Sequence, residues 1–345
     1  MIIPHKLKKG DKIAVVSLSW GGAGDGEIYK RYLTGKQRLE EVFGLQVIEM
    51  PHALKGSDYV KNHPKERAED LMSAFKNPEI KAIFSNIGGN DTIRLLPYIN
   101  YDIIKNNPKI FMGYSDTTVN HFMCYKAGVR SYYGPSVLME FAENVHMHVY
   151  TSTAIWNTLF RTSKIGEIKS ADRWTSEYLA WDISENNKTP RKMTKEEHGH
   201  ELLQGVGKVE GQLLGGCIEV LDWLRGTEIW PSKDQWKDKI LFLETSEEQP
   251  SPDAVSYFLR ALWAVGVIDV INGIVFGKPQ NEKYYEEYKT VIKDVISKDC
   301  MRPDLPILYN MNFGHTSPMT ILPIGAHAVL DCDQKSLTIS ESGVV

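Results

Sequence analysis

The chain has 345 residues, with 40 Lys and Arg against 44 Asp and Glu, for a formal charge of −4. That length exceeds one compact domain and suggests two domains with a cleft between them, while the near-neutral balance gives no basic excess for a nucleic-acid or anionic-membrane partner. No segment approaches membrane-spanning length, the opening MIIPHKLKKGDKIAVV lacks a leader's apolar run, and Cys124, Cys217, Cys300 and Cys332 lie far apart without a CxxC pair, so reduced thiols and a cytoplasmic location are expected.

In the first half, KIAVVSLS, LQVIEM, KAIFSNI and KIFMGY read as short buried strands, and the stretches around 28–43, 65–76 and 91–98 read as helices. Such alternation predicts a parallel sheet with helices on its faces. WGGAGDG at 20–26 does not have the G-x-G-x-x-G spacing of a dinucleotide site and is expected to be a flexible loop over the sheet's carboxyl edge. NIGGND at 86–91 lies between a strand and a helix. Gly88 and Gly89 there either form a tight turn or let bare backbone N–H groups approach a ligand. In KIFMGYSDTTVNHF, 109–122, Ser115 falls between a strand and a helix carrying Val119, Phe122 and Met123, with Gly128 placed to stop it. A serine on that corner is either a helix cap or a nucleophile held clear of the sheet.

Residues 162–205 are polar, charged and studded with aromatics, and are expected to form a linker and substrate loop between domains at 1–161 and 206–345. Trp174, Tyr178 and Trp181 are costly to expose without a purpose. VEGQLLGGCIEVLDWL opens the second half, followed by strands at DKILFLE and GIVFG with a helix at 253–264 between them. The strand PILYNM and a hairpin turning at Asp331 to Lys335 close it.

A nucleophilic serine needs a base, and ten histidines compete. His146 with His148, and His198 with His200, form H-x-H pairs outside any recognisable zinc frame and are expected on the surface. His315, in NFGHTSP, closes a strand at a Gly- and Pro-bearing turn, where α/β proteins gather their chemistry. Glu244 ends the apolar strand KILFLE, where an unpaired carboxylate would be expensive. Its rivals, Glu219 and Asp222, fall on an amphipathic helix. With Ser115 as nucleophile, the glycine loop supplies one half of an oxyanion hole and the N–H of Asp116 the other. An ordinary histidine base predicts a rate that rises with pH through an apparent pKa of about 6 to 7.

Together, PHKLKKGDKIAVVSLS, IGGND, GYSDTT, LLGG, LFLET and FGHT resemble the LD-carboxypeptidase family of serine peptidases, and within it the branch of microcin C self-immunity peptidases. The resemblance covers nearly the whole chain. It implies an N-terminal flavodoxin-like α/β domain, a smaller C-terminal β-rich α/β domain and a homodimer, with no metal or organic cofactor. It places the nucleophile on Ser115, the carboxylate on Glu244, the base on His315 and the oxyanion donors on Gly89 and Asp116. Two residues depart from the pattern. Cys217 stands where an asparagine commonly follows the paired glycines, which bears on a substrate contact, and Thr117 replaces the second glycine of the lipase elbow.

The family implies two small-molecule substrate classes. One is a murein tetrapeptide that loses its terminal D-alanine; the other is an amide joining an aminoacyl group to a nucleotide analogue. Residues 162–205 resemble the longer aromatic segment of the immunity branch, which favours the second class, with Trp174 the foremost stacking residue beside Tyr178 and Trp181, and with Gly88 and Cys217 near the substrate. A non-catalytic peptide- or nucleotide-binding protein is the rival from another class.

Overall fold

The first half of the computed structural model, which describes residues 1–345, is built on five parallel strands. These are β1 (Lys12–Val16), β2 (Gln46–Glu49), β3 (Ile80–Ser85), β4 (Ile110–Gly113) and β5 (Tyr132–Tyr133), in the order β2-β1-β3-β4-β5. That order is the flavodoxin-like one, with ligands expected outside the carboxyl ends of the strands. Every residue of β4 is buried, because helices cover both faces of a parallel sheet. Helices Ile28–Glu41 and Pro64–Lys76 form where the apolar spacing predicts them. At 91–98 the chain instead makes a 3₁₀ helix, Thr92–Tyr98. Pro97 lacks an N–H and its ring opposes the carbonyl four residues back, so α-helix resumes only at Tyr101–Asn106, capped by the Asn100 side chain.

The second sheet has eight strands. β6 (Gly166–Ile168) lies at one edge and β9 (Glu201–Gln204) at the other. Between these edges in chain order, β7 (Arg173–Trp174) and β8 (Thr194–Lys195) form a small ladder of their own. β10 (Lys208–Cys217), β11 (Lys239–Glu244), β12 (Gly273–Gly277) and β13 (Ile307–Met311) make a parallel core. β14 (Leu322–Pro323) leaves this sheet altogether and pairs antiparallel with β5 of the first. β15 (His327–Asp331) and β16 (Ser336–Ile339) form the expected hairpin, and β15 pairs antiparallel with β10.

Polarity alone makes residues 162–205 look like a solvated linker, yet the segment is pinned on several sides. Thr175 exchanges two backbone hydrogen bonds with Ser317, Arg191 pairs with the buried Glu143, and Asn187 accepts from Arg31. These contacts fix its path, while many of its other polar side chains remain exposed. The two halves also share a core. Sixty-eight buried apolar residues run without a break from Phe111 and Val119 to Leu221 and Trp236. Phe122, on the helix after Ser115, packs against both Trp230 and Trp236 of the other half at 6.0 and 6.2 Å.

Candidate active site

β4 runs into Gly113, and the chain then turns at Ser115, whose φ is +63°. A left-handed serine is costly and persists only where its surroundings fix it. Here its N–H donates to Tyr133 Oη at 3.2 Å and its carbonyl accepts from Thr118 Oγ1 at 2.7 Å. A Cβ on Gly113 would stand 2.8 Å from Thr117 and 2.9 Å from Ser85, so the corner closes only around glycine. The serine makes no cap bond to the helix that follows; its hydroxyl lies 3.1 Å from His315 Nε2 instead. The hydroxyl therefore does not cap the helix and faces the imidazole.

The glycine loop after β3 abuts this corner. A Cβ on Gly88 would lie 2.9 Å from Ser115 Cβ, 3.1 Å from its Oγ and 3.2 Å from the Asp116 nitrogen. Gly89 has φ of +140°, a conformation that favours glycine. The carboxylate of Asp116, fully buried, accepts from the N–H groups of Asp91 and Thr92, both at 2.9 Å, and so ties the loop to the residue after the serine. Arg67 holds Asp91 from the far side at 2.8 Å.

His315 reaches the serine from the loop after β13. Its Nδ1 is 2.7 Å from Glu244 Oε2, at the end of β11. Glu244 is fully buried, and its other oxygen accepts from Tyr133 Oη at 2.5 Å. Gly314 makes room for this contact, since a Cβ there would fall 2.6 Å from Glu244 Oε2. The rival carboxylates are occupied elsewhere: Glu219 accepts from the Ser246 N–H at 3.0 Å, and Asp222 pairs with Arg225. A further acid, Glu247, sits 3.0 Å from His315 Nε2. Burial works against the imidazolium, but Glu244 at one nitrogen and Glu247 at the other outweigh it and raise the His315 pKa well above 6.5. The hydrogen bond from His315, opposed by burial, takes Glu247 down to about 2.

Ser115 and His315 open into a cleft of about 570 Å³ walled by Trp20, Gly88, Gly89, Tyr178, Trp181 and Glu247, among others. Trp20 stacks on Trp181 with centroids 6.2 Å apart, and Tyr178 leans on Trp181 at 5.8 Å. Trp174, expected foremost among the stacking residues, does not line this cleft. Its indole is buried, 4.5 Å from the Lys278 ammonium, because β7 turns it towards that cation. Cys217 lies beneath the site, with Sγ donating to Glu219 at 3.3 Å and no surface on the cleft. A larger depression, about 640 Å³, lies at the opposite, amino-terminal ends of β1, β3 and β4, and its walls contain no serine or cysteine.

No three His, Cys, Asp or Glu side chains are placed to hold a metal. His148 pairs with Glu143 at 3.3 Å, and His198 stacks on Tyr285 at 4.6 Å. The expected flexible loop at 20–26 contains a short 3₁₀ turn, Gly22–Gly24, packed so closely on Leu54 and Gly56 that a Cβ on Gly21 or Gly24 would meet their backbone. Sequence reasoning passed over Trp20, Tyr133 and Glu247. Only Trp20 had a local signal, an aromatic directly after the first strand.

Residues 13–134 match the LD-carboxypeptidase N-terminal domain, and residues 210–330 match the LD-carboxypeptidase C-terminal domain. The chain is 30% identical over 320 residues to the microcin C7 self-immunity protein MccF of Escherichia coli, covering 90% of this chain and 88% of that one. It is 28% identical over 345 residues to a probable murein peptide carboxypeptidase of Bacillus subtilis, covering 99% and 95%. Among solved structures, an MccF-like protein from Streptococcus pneumoniae in complex with AMP superposes with a TM-score of 0.88 at 37% identity, over 96% of this chain and 99% of that one. MccF in complex with aspartyl sulfamoyl adenosine gives 0.83 at 27% identity over the whole of both chains. No helix is long and apolar enough to cross a membrane. With both halves matched and the flavodoxin-like strand order in place, the chain is a hydrolase that belongs to the LD-carboxypeptidase family of serine peptidases.

Proposed function

We propose that Ser115, His315 and Glu244 act as a catalytic triad that cleaves the amide between an aminoacyl group and a nucleotide analogue. The 3.1 and 2.7 Å contacts that link the three side chains support the roles. His315 Nε2 takes the hydroxyl proton as Ser115 attacks the carbonyl. Glu244 fixes the imidazole's tautomer and balances the imidazolium. The N–H groups of Gly89 and Asp116 receive the oxyanion. Protonated His315 then serves the departing nitrogen, and water hydrolyses the acyl-enzyme by the same steps in reverse order.

The observation that carries the substrate class is the aromatic wall beside the serine. Trp20 is 36% exposed and Tyr178 68% exposed, so both offer ring faces on either side of the buried Trp181. A nucleobase stacks on such faces whatever its hydrogen-bonding edge, whereas D-alanine would leave most of the cleft empty. The structural neighbours bound to AMP and to aspartyl sulfamoyl adenosine favour the same reading. The likeness to a probable murein peptide carboxypeptidase supports removal of D-alanine from a tetrapeptide as the second reading. A panel of an aminoacyl sulfamoyl adenosine and a murein tetrapeptide decides between them: the higher kcat/KM is expected on the adenosine compound, and the reverse order moves the enzyme to the second reading. Labelling of Ser115 by a fluorophosphonate separates both from a binding protein. We further propose a cytoplasmic homodimer, to be checked by fractionation and light scattering.

A further inference from the structure

Glu247 is the one carboxylate on the walls of the cleft, which carry no lysine or arginine. In the deeper recess next to it, both arginines are engaged: Arg31 with the Leu138 carbonyl and Asn144, Arg191 with Glu143. Glu247 is placed by a firm root, because Glu219 accepts from the N–H of Ser246 at 3.0 Å, while the Glu247 side chain is 61% exposed. In this structure it rests against His315 Nε2 at 3.0 Å, beside the 3.1 Å contact from that same nitrogen to Ser115. That contact opposes the reaction the site is built for. Nε2 must be unprotonated to accept the serine's proton, and a carboxylate on it holds the proton in place.

We propose that Glu247 is the cation-recognising residue of the acyl subsite, which selects acyl groups carrying a free ammonium close to the scissile carbonyl. The inference rests on Ser115 as nucleophile but not on the nature of the leaving group. A carbonyl poised for attack stands about 3 to 3.5 Å from the serine oxygen, which puts an ammonium on the adjoining carbon within a short swing of Glu247. When the carboxylate moves to that ammonium, His315 loses its second counter-charge, releases the Nε2 proton to solvent and becomes competent as a base. Substrate charge and activation of the base are thus coupled through one side chain. An N-acylated acyl group gains neither the contact nor the release.

Two fluorophosphonates test this without any commitment to nucleotide or peptide, one with a trimethylammonium arm and one with its uncharged tert-butyl isostere. The wild type should be labelled at least about fivefold faster by the charged ester, as expected for one close charge pair at the protein surface. Glu247→Gln should bring that ratio to about one and speed labelling by the neutral ester, because Nε2 is freed. Glu248→Gln, at an exposed neighbour off the cleft walls, should keep the wild-type ratio. In turnover, alanyl sulfamoyl adenosine should exceed its N-acetyl form by roughly ten- to a hundredfold in kcat/KM, the range for a hydrogen bond to a charged group. Equal labelling of the wild type by the two esters, or an undiminished ratio in folded Glu247→Gln, overturns the inference. Failure of both esters to label Ser115 overturns the triad reading and this inference with it.

Discussion

Ser115 is held at φ +63° by contacts that belong to other residues, chiefly Tyr133 and Thr118. Ser115→Ala should therefore fold and lose roughly four to six orders of magnitude in kcat, measured on whichever substrate is turned over. Glu244→Gln should cost less, about 10⁴-fold, because the amide still meets the imidazole but cannot balance its charge. The pH profile follows from what faces His315: Glu244 at Nδ1, Glu247 and the neutral Ser115 hydroxyl at Nε2, and Tyr114 edge-on at 5.0 Å. Burial lowers its pKa and the two carboxylates raise it further, so the folded value lies above 6.5. The neutral imidazole is the base, so kcat/KM must rise with pH through that raised value. A limb at or below 6.5 in the wild-type profile would contradict the geometry. Ser115, Glu244 and His315, the three side chains proposed for the chemistry, could be singled out in the sequence because each closes an apolar strand at a loop edge, and the fold brings them within hydrogen-bond distance. Tyr133 could not be, since a buried tyrosine reads as core until its hydroxyl is found between Glu244 and the Ser115 backbone.

The glycine loop and the segment between the halves make contrasting predictions. Gly88→Ala places a methyl 3.1 Å from Ser115 Oγ and 3.2 Å from the Asp116 nitrogen. It should cut kcat by about 10²-fold or more, the cost of misplacing reacting groups by about an ångström, while circular dichroism stays native. In residues 162–205, exposed and buried aromatics should separate cleanly. Tyr178→Ala should lower kcat/KM on the adenosine substrate by about 5- to 150-fold, or roughly 1 to 3 kcal/mol for one stacking face. Trp174→Ala should instead cost about 3 to 5 kcal/mol of stability by denaturant titration, since it empties a packed site over Lys278. The aromatic content of this segment was legible, but which ring reaches the substrate was not. That choice depends on the two-residue ladder of β7 with β8 and on the pairing of Thr175 with Ser317. Neither contact leaves a periodic mark in the sequence.

Across the whole molecule, strand alternation follows from the apolar runs, but the strand order and the shared core do not. Phe122 looked like one position of an amphipathic helix; its partners, Trp230 and Trp236, lie about a hundred residues on. Phe122→Ala should cost about 3 to 5 kcal/mol and lower a single unfolding transition seen alike by fluorescence and circular dichroism. Two separated transitions would mean that the halves melt independently. The split of the site between sheets has a bearing on how the protein is made. A ribosome delivers the serine 200 residues ahead of the histidine. The first sheet, moreover, waits for β14, residues 322–323, to cover its edge at β5. A nascent polypeptide that has not yet reached residue 315 therefore carries Ser115 without the histidine it faces, and the edge at β5 stays open until residues 322–323 are made.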